Sequence, residues 1–443
     1  MEKRQMKFRS LLNEYPRVSF REALFRGIAP DGSLYIPESF PLLPISAKTI
    51  DATTGLRGVA TQVLCAYIQE IPSEQIQKMV DQAFNFPIRL VNLEEDLYLL
   101  ELFHGPTLAF KDIGARFMAS ALSYFLAQEQ RELTIAVATS GDTGSAVAQG
   151  FLNIPRISVF VLYPSGKIST LQEQQITTVG GNIHAIEVEG TFDDCQRLVK
   201  TALADRELVR ACNLTTANSI NLGRLVPQIT YYVWSLLELQ RQARRSSHQE
   251  LTVDVCVPSG NFGNLTAAAY AKRMGASIER LFSASNANEV VPEFFQTGSF
   301  RPRPSLQTIS NAMDVGNPSN FARLQALYGY NLDTMKRDIA STSVSDEETL
   351  VEMRRTYERS ATILDPHTAV GVAATRKLKT THSSSRPTIV VGTAHPAKFP
   401  EVVAKALGVT MPLPQQLQEV LGRPKQSTRI PADYDRVRRL LLG

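Results

Sequence analysis

The chain has 443 residues, 43% of them hydrophobic and 20% charged, with 25 glycines and 24 prolines. That balance excludes a disordered, collagenous or coiled-coil chain, and at about 150 residues per domain the length predicts two or three domains. Forty-seven Lys and Arg against 43 Asp and Glu leave a charge of +4, too small to indicate nucleic acid, and no basic run alternates with aromatics as a stacking groove would need.

No apolar run approaches the roughly 18 residues of a membrane-spanning helix; the strongest, such as Ile157 to Tyr163, has strand length. The N-terminal segment carries basic residues without a following apolar stretch or small-residue cleavage site, so a secretory signal is not expected and a cytoplasmic protein is. Cys65, Cys195, Cys212 and Cys256 lie far apart, with no CxxC and no His at ligand spacing. Neither a metal site nor a disulfide scaffold is therefore expected, and reduced, mostly buried thiols are.

Residues 1–95 read as a separate unit, in which the Gly- and Pro-punctuated GIAPDGSLYIPESFPLLP precedes two helical patterns, TQVLCAYIQ and PSEQIQKMVDQAF. From Leu97 the texture changes. LYLLELF, TIAVAT, ISVFVLY, VDVCVP and TIVVGTA read as strands buried on both faces, and the helical patterns between them predict an α/β fold with a mainly parallel sheet. Leu222, Leu225, Val226, Ile229, Val233, Leu236 and Leu237 form one apolar helical stripe, followed by RQARRSSHQE, the best linker candidate. The secondary structure of residues 311–348 stays open.

Ligands of parallel sheets sit beyond the carboxyl ends of the strands, so the strand exits carry the chemistry. VDVCVP runs into SGNFGN and then a helix. There Ser259, Gly260, Asn261, Phe262, Gly263 and Asn264 can cradle a phosphate without a Walker-type lysine, or form a plain turn. TIAVAT runs into SGDTG, a second turn able to hold an anion. LYLLELF leads to Lys111 between Phe110 and Ile113, where apolar neighbours disfavour the ammonium and free the amine as nucleophile or base, unless the side chain snorkels to solvent. TIVVGTA places Thr393, His395 and Lys398 at a fourth exit. ANSINLGR groups Asn218, Ser219, Asn221 and Arg224, either an anion site or an Asn-Ser helix cap. An amine between two anion sites suggests pyridoxal phosphate, with the second site left for the substrate.

ELFHGPTLAFKD, ATSGDTG, YPSGKIS, ANSINLGR, PSGNFGNLTA, SNAMDVGNPSN and GTAHPAKFPE, in this order, resemble the threonine synthase family, in its bacterial and fungal branch, over essentially the whole chain. The resemblance implies fold type II of the pyridoxal-phosphate enzymes, tryptophan synthase β-like, with two three-layer α/β domains and an N-terminal segment. The expected spans are an N-terminal domain 1–95, a large cofactor-binding domain 96–130 and 225–443, and a small α/β domain 131–224.

It further implies that Lys111 carries the cofactor aldehyde, that Gly260, Asn261, Phe262, Gly263 and Asn264 bind its phosphate, and that Thr393 sits by the pyridine nitrogen. Asp142 and Thr143 are expected near the ring oxygen and the substrate. Asn218, Ser219 and Arg224 are expected on the substrate phosphate, with Lys167 and Lys398 as weaker candidates for it. Relatives elsewhere in fold type II often carry Asn at the Asp142 position, so whether this residue donates to the ring oxygen or repels it stays open. The implied reaction converts O-phospho-L-homoserine and water to L-threonine and phosphate in a cytoplasmic enzyme, by analogy a monomer, without nucleic-acid, membrane or metal partners. Two alternatives are kept: a phospho-lyase releasing 2-oxobutanoate, and a non-catalytic nucleotide-binding regulator.

Overall fold

The computed structural model describes residues 6–44, 54–243 and 251–443. The stretch 244–250, most of the expected linker, lies outside the described residues. Thirteen strands are described: β1 Phe8–Ser10, β2 Tyr35–Pro37, β3 Arg89–Glu94, β4 Leu97–Glu101, β5 Leu133–Ala138, β6 Ile157–Pro164, β7 Ile183–Glu189, β8 Leu214–Thr215, β9 Val253–Pro258, β10 Ile278–Ser285, β11 Ile339–Ser343, β12 Thr388–Gly392 and β13 Thr428–Pro431. Every residue of β5, β9 and β12 is buried, as continuous apolar runs in parallel sheets require.

The strands form an antiparallel β1–β2 pair and two larger sheets, in the orders β11-β10-β9-β12-β4-β3 and β13-β7-β6-β5-β8. All pairings in the larger sheets are parallel except β3 with β4. Because β9, β12 and β4 are neighbours, three of the expected chemical loops leave one sheet side by side, and the exit of β5 comes from the other sheet. The exits of β4 and β12 are stitched together by the Phe110 amide on the Thr393 carbonyl at 2.9 Å and by a bridge between Ala109 and Ala394.

Sheet membership corrects the expected spans at two places. Residue 95 falls between the hairpin partners β3 and β4, so β3 belongs with the six-stranded sheet. The C-terminal strand β13 pairs with β7, and helix Tyr434–Leu442 packs on helix Phe192–Ala204, so the chain end returns to the five-stranded sheet. Both pairings are long-range and leave no local mark on the sequence.

The apolar stripe from Leu222 is not one continuous α-helix. A turn at Leu222–Leu225 passes through a 3₁₀ segment, Val226–Gln228, into helix Ile229–Gln242. Pro227 lacks an N–H and its ring crowds the preceding turn, which accounts for the tighter segment. Residues 311–348, left open above, hold a short 3₁₀ turn, helices Phe321–Leu327 and Leu332–Asp338, β11 and the start of helix Asp346–Ser360. All four cysteines are free thiols, with Cys195 and Cys256 buried. Among the described residues no helix is long and apolar enough to cross a membrane.

Candidate active site

Lys111 opens helix Lys111–Glu129, which has no polar N-cap. The turn before it is held instead by Asp112, whose carboxylate accepts the Thr107 amide at 2.9 Å and the Thr107 hydroxyl at 2.6 Å. The lysine is thereby aimed inward. Its side chain is 15% exposed, with Nζ 3.4 Å from Asp142 Oδ2 and over the Phe110 ring. Burial lowers the Lys111 pKa, the cations Lys398 and Arg224 lower it further, and Asp142 opposes them.

Asp142 starts the helix after β5 and is buried. Its Oδ1 accepts from Lys398 Nζ at 2.6 Å and from Gln172 Nε2 at 3.0 Å. Burial alone would raise this carboxyl, but the Lys398 and Lys111 ammonium groups outweigh it and hold it well below the usual carboxylate range. Asp142 is therefore an anion with no proton to give. Lys398 is fully buried, on Asp142 and on the Thr107 carbonyl at 3.0 Å. It does not line the cavity and is not solvated, which corrects the weaker expectation that it meets the substrate phosphate. Lys167 is exposed and also lies off the cavity.

Lys111 lines a cavity together with Ser140, Asp142, Thr143, Asn218, Ser219, Arg224, Thr393 and all six residues of the glycine loop. Within that loop Ser259 is structural: its amide bonds the Ala284 carbonyl and its hydroxyl the Val257 carbonyl. The amides of Gly260, Asn261 and Phe262 donate to nothing among the described residues. Phe262 has φ +61°, a left-handed conformation costly for a bulky residue. Gly260 packs so closely under the Asn311–Met313 turn that a Cβ would come 2.7 Å from Met313 Cα. Asn264 accepts both Tyr231 and Tyr232 hydroxyls on Oδ1, while its Nδ2 is buried without a partner.

The second anion loop is equally clear. Arg224 is buried, spends Nη1 on the Ala217 carbonyl at 2.6 Å and leaves Nε buried and unpartnered; burial pushes its pKa down to about 10. Ser219 Oγ accepts from Asn261 Nδ2 at 3.2 Å and Asn320 Nδ2 at 3.0 Å, which leaves its own proton to donate. The Asn218 side chain is committed to β5, accepting the Ala138 amide and donating to the Ala138 carbonyl, and Asn221 caps its own helix turn. Thr393 is buried and its hydroxyl makes no hydrogen bond among the described residues.

Three residues escaped the sequence reading. His367, on the cavity wall, has Nδ1 2.8 Å from Asp365 and accepts the Ala312 amide on Nε2 at 3.1 Å, which fixes its tautomer and anchors the turn over Gly260. Gln172 reaches Asp142 from helix Thr170–Thr177, and Gln228 braces the Arg224 carbonyl at 2.8 Å. None sits in a strand-exit motif. His395, a catalytic candidate by sequence, instead caps the Pro396–Lys398 turn through the Ala397 amide and lies off the cavity.

A cofactor carrying an aldehyde and a phosphate needs an amine and a set of unpaired donors in one enclosure. Lys111, the unpaired Asn264 amide and the free backbone N–H groups of the glycine loop meet that requirement, so these residues fit pyridoxal phosphate. The family described as pyridoxal-phosphate dependent enzyme matches residues 86–393, and the chain is an enzyme of that class, of fold type II, with pyridoxal phosphate as its cofactor. The families described as threonine synthase N terminus and threonine synthase, C-terminal match residues 7–84 and 368–441. The threonine synthase of Escherichia coli (strain K12) is 41% identical over 441 residues, covering 99% of this chain and 100% of that one.

A crystal structure of threonine synthase from Escherichia coli superposes with a TM-score of 0.89 at 39% identity, over 98% of this chain and 99% of that one. That of a PLP-bound threonine synthase from Brucella melitensis gives 0.90 at 34% identity, over 99% of both chains. The chain belongs to the threonine synthase family.

Proposed function

We propose that the chain converts O-phospho-L-homoserine and water to L-threonine and phosphate, in the cavity walled by the exits of β4, β5, β9 and β12. The observation that carries this reading is the meeting of two donor-bearing residues, Asn264 and Arg224, with Lys111 in the lining of one cavity. One suits the cofactor phosphate and the other the substrate phosphate.

In this reading Lys111 holds the cofactor aldehyde, Gly260 to Asn264 hold its phosphate, and Thr393 faces the ring nitrogen. When bound, pyridoxal phosphate takes up the electron density released at the α and β carbons of the substrate. The Lys111 amine would move protons at those carbons; its lowered pKa favours the free base, and Asp142 at 3.4 Å steadies the ammonium after the proton is taken. Asp142 acts as a fixed anion, because Lys398 and Gln172 occupy its other oxygen. The Arg224 guanidinium and the Ser219 hydroxyl meet the phosphate oxygens, on which charge grows as the carbon–oxygen bond breaks. Thr143 and Asn218 complete that wall.

The test is a product balance. Holoenzyme given O-phospho-L-homoserine should release L-threonine and phosphate in equal amounts, whereas 2-oxobutanoate in place of threonine selects the phospho-lyase. Borohydride reduction followed by peptide mass analysis should find the cofactor on Lys111, and a colourless protein with no adduct overturns the assignment.

A further inference from the structure

Two buried guanidinium groups clasp the loop Ala217–Asn221, and only one of them opens into the cavity. Arg224 does. The other, Arg323 on helix Phe321–Leu327, has no exposed surface and does not line the cavity. Its Nε donates to the Tyr35 carbonyl at 3.0 Å, its Nη1 to Asn320 Oδ1 and to the Ser219 carbonyl at 3.4 Å, and its Nη2 to the Ile220 carbonyl.

All four acceptors are neutral, and among the described residues no carboxylate pairs with it. An enclosed charge without a paired carboxylate is expensive to keep; Arg323 is such a charge, and Arg224 on the same loop feels a carboxylate only through space, from Asp112. What that loop lacks is an anion.

Arg323 also acts through geometry. It gathers the N-terminal unit at Tyr35, the anion loop at Ser219 and Ile220, and the segment ending in Asn320. Asn320, held by Arg323 on Oδ1, turns Nδ2 onto Ser219 Oγ at 3.0 Å. With Asn261 Nδ2 on the same oxygen, the acceptor side of that hydroxyl is filled and its proton is directed elsewhere.

We infer that Arg323 is a positioning residue for the phosphate of the substrate: without touching it, the guanidinium sets the Ser219 hydroxyl as a donor and supplies an uncompensated positive field to the anion loop. The inference rests on the reading of Ser219 and Arg224 as the phosphate site. It gives the N-terminal unit a part in substrate recognition through a single backbone carbonyl.

The experiment compares holoenzymes of Arg323→Met, Arg323→Lys, Asn320→Asp and Arg224→Gln by cofactor absorbance, Tm, kcat and KM for O-phospho-L-homoserine, and the inhibition constant of inorganic phosphate. Arg323→Met should raise KM and the phosphate constant in parallel by about tenfold, the scale of a lost hydrogen bond to a charged group, with kcat changed less and the cofactor spectrum kept. Arg323→Lys, which keeps the charge, should recover part of the loss. Asn320→Asp, which neutralises the guanidinium but also replaces the donor on Ser219 Oγ with a carboxylate oxygen, should repeat the loss by both routes, and Arg323→Lys, with its charge kept and its fork lost, decides the matter if Arg323→Met does not fold.

A fall in Tm with KM and the phosphate constant unchanged makes Arg323 merely structural and overturns the inference. Arg224→Gln tests the underlying reading separately: phosphate inhibition at full strength in that variant moves the phosphate site elsewhere, whatever Arg323 does.

Discussion

The Asp142 carboxylate lies 2.6 Å from the Lys398 ammonium, with Lys398 wholly enclosed and Asp142 only 2% exposed. Removing one partner of a buried pair costs up to about 3–5 kcal/mol where the other charge is stranded, and here Lys111 at 3.4 Å compensates part of Asp142. Lys398→Met should lower the Tm of the protein stripped of cofactor sharply, and Asp142→Asn in the same chain should restore part of it. Losses that simply add in the double variant would show that the two groups are uncoupled.

Lys398 also bears on Lys111, whose amine it holds down as a like charge. In Lys398→Met that repulsion goes, and Asp142, freed of its first partner, turns its full charge on Lys111. Both effects raise the Lys111 pKa. Cofactor-free protein mixed with pyridoxal phosphate reacts through the free amine, so its rate of colour formation should rise with pH to a midpoint below that of an ordinary lysine. The midpoint should move upward in Lys398→Met. An unmoved midpoint would mean the two lysines do not sense each other.

Lys111, the glycine loop and Arg224 are legible in the sequence because each lies in a contiguous strand–turn or turn–helix stretch whose residue types state its chemistry. Lys398 is legible as a residue but not as a role, since its partner Asp142 stands 256 positions away. Arg323 and His367 carry no local mark: one lies in the segment with no readable periodicity, the other looks like any polar residue near a helix start. By sequence Asp142 can either donate to the cofactor or repel it, and only the two lysines around it decide in favour of an anion. The five core strands were legible because burial on both faces forces unbroken apolar runs. The move of β13 to the other sheet was not, because pairing partners are set by topology.

Gly114 lies where the Lys111 helix meets Arg224, and a Cβ there would come 2.7 Å from the Arg224 carbonyl oxygen and 3.1 Å from Arg224 Nε. Neither neighbour is free to yield, since Gln228 holds that carbonyl and the Ala217 carbonyl holds the guanidinium. Gly114→Ala should displace Arg224 and raise KM for O-phospho-L-homoserine about tenfold or more, the scale of a weakened charged hydrogen bond. The absorbance of the bound cofactor should stay that of the parent. A lost cofactor spectrum with KM preserved would exchange the two anion sites.

Asn264 meets the cofactor phosphate, in this reading, through one side-chain nitrogen. Its Oδ1 accepts from both Tyr231 and Tyr232, and only Nδ2 is unpaired. Asn264→Asp keeps an acceptor for the tyrosines but sets a second carboxylate oxygen against the cofactor phosphate, so a donor becomes a repulsive charge. Cofactor affinity should fall about 100-fold, a loss near 3 kcal/mol, as measured by absorbance titration of the stripped protein. The titration is run below the Tm of the stripped variant, which should itself fall because the new carboxylate is buried without a counter-ion. Undiminished affinity would remove Asn264 from the phosphate cradle.

Asp314 gives the turn over Gly260 a pH dependence of definite sign. Its carboxylate accepts from the Thr308 amide and hydroxyl and from the Asn286 and Asn288 amides, yet burial outweighs these donors and pushes its pKa up to about 6. A carboxyl raised on folding favours the folded state while protonated. That contribution is complete below the unfolded value of about 3.9 and is lost as pH rises through about 6. Asp314→Asn cannot ionise. It forfeits the bond from the Thr308 amide at every pH, a constant offset, so the parent should lose stability relative to the variant between pH 4 and pH 7 by about 1–2 kcal/mol. Urea unfolding of both proteins across that range measures the difference, and a gap that stays constant with pH would show that Asp314 is already ionised at its acid end.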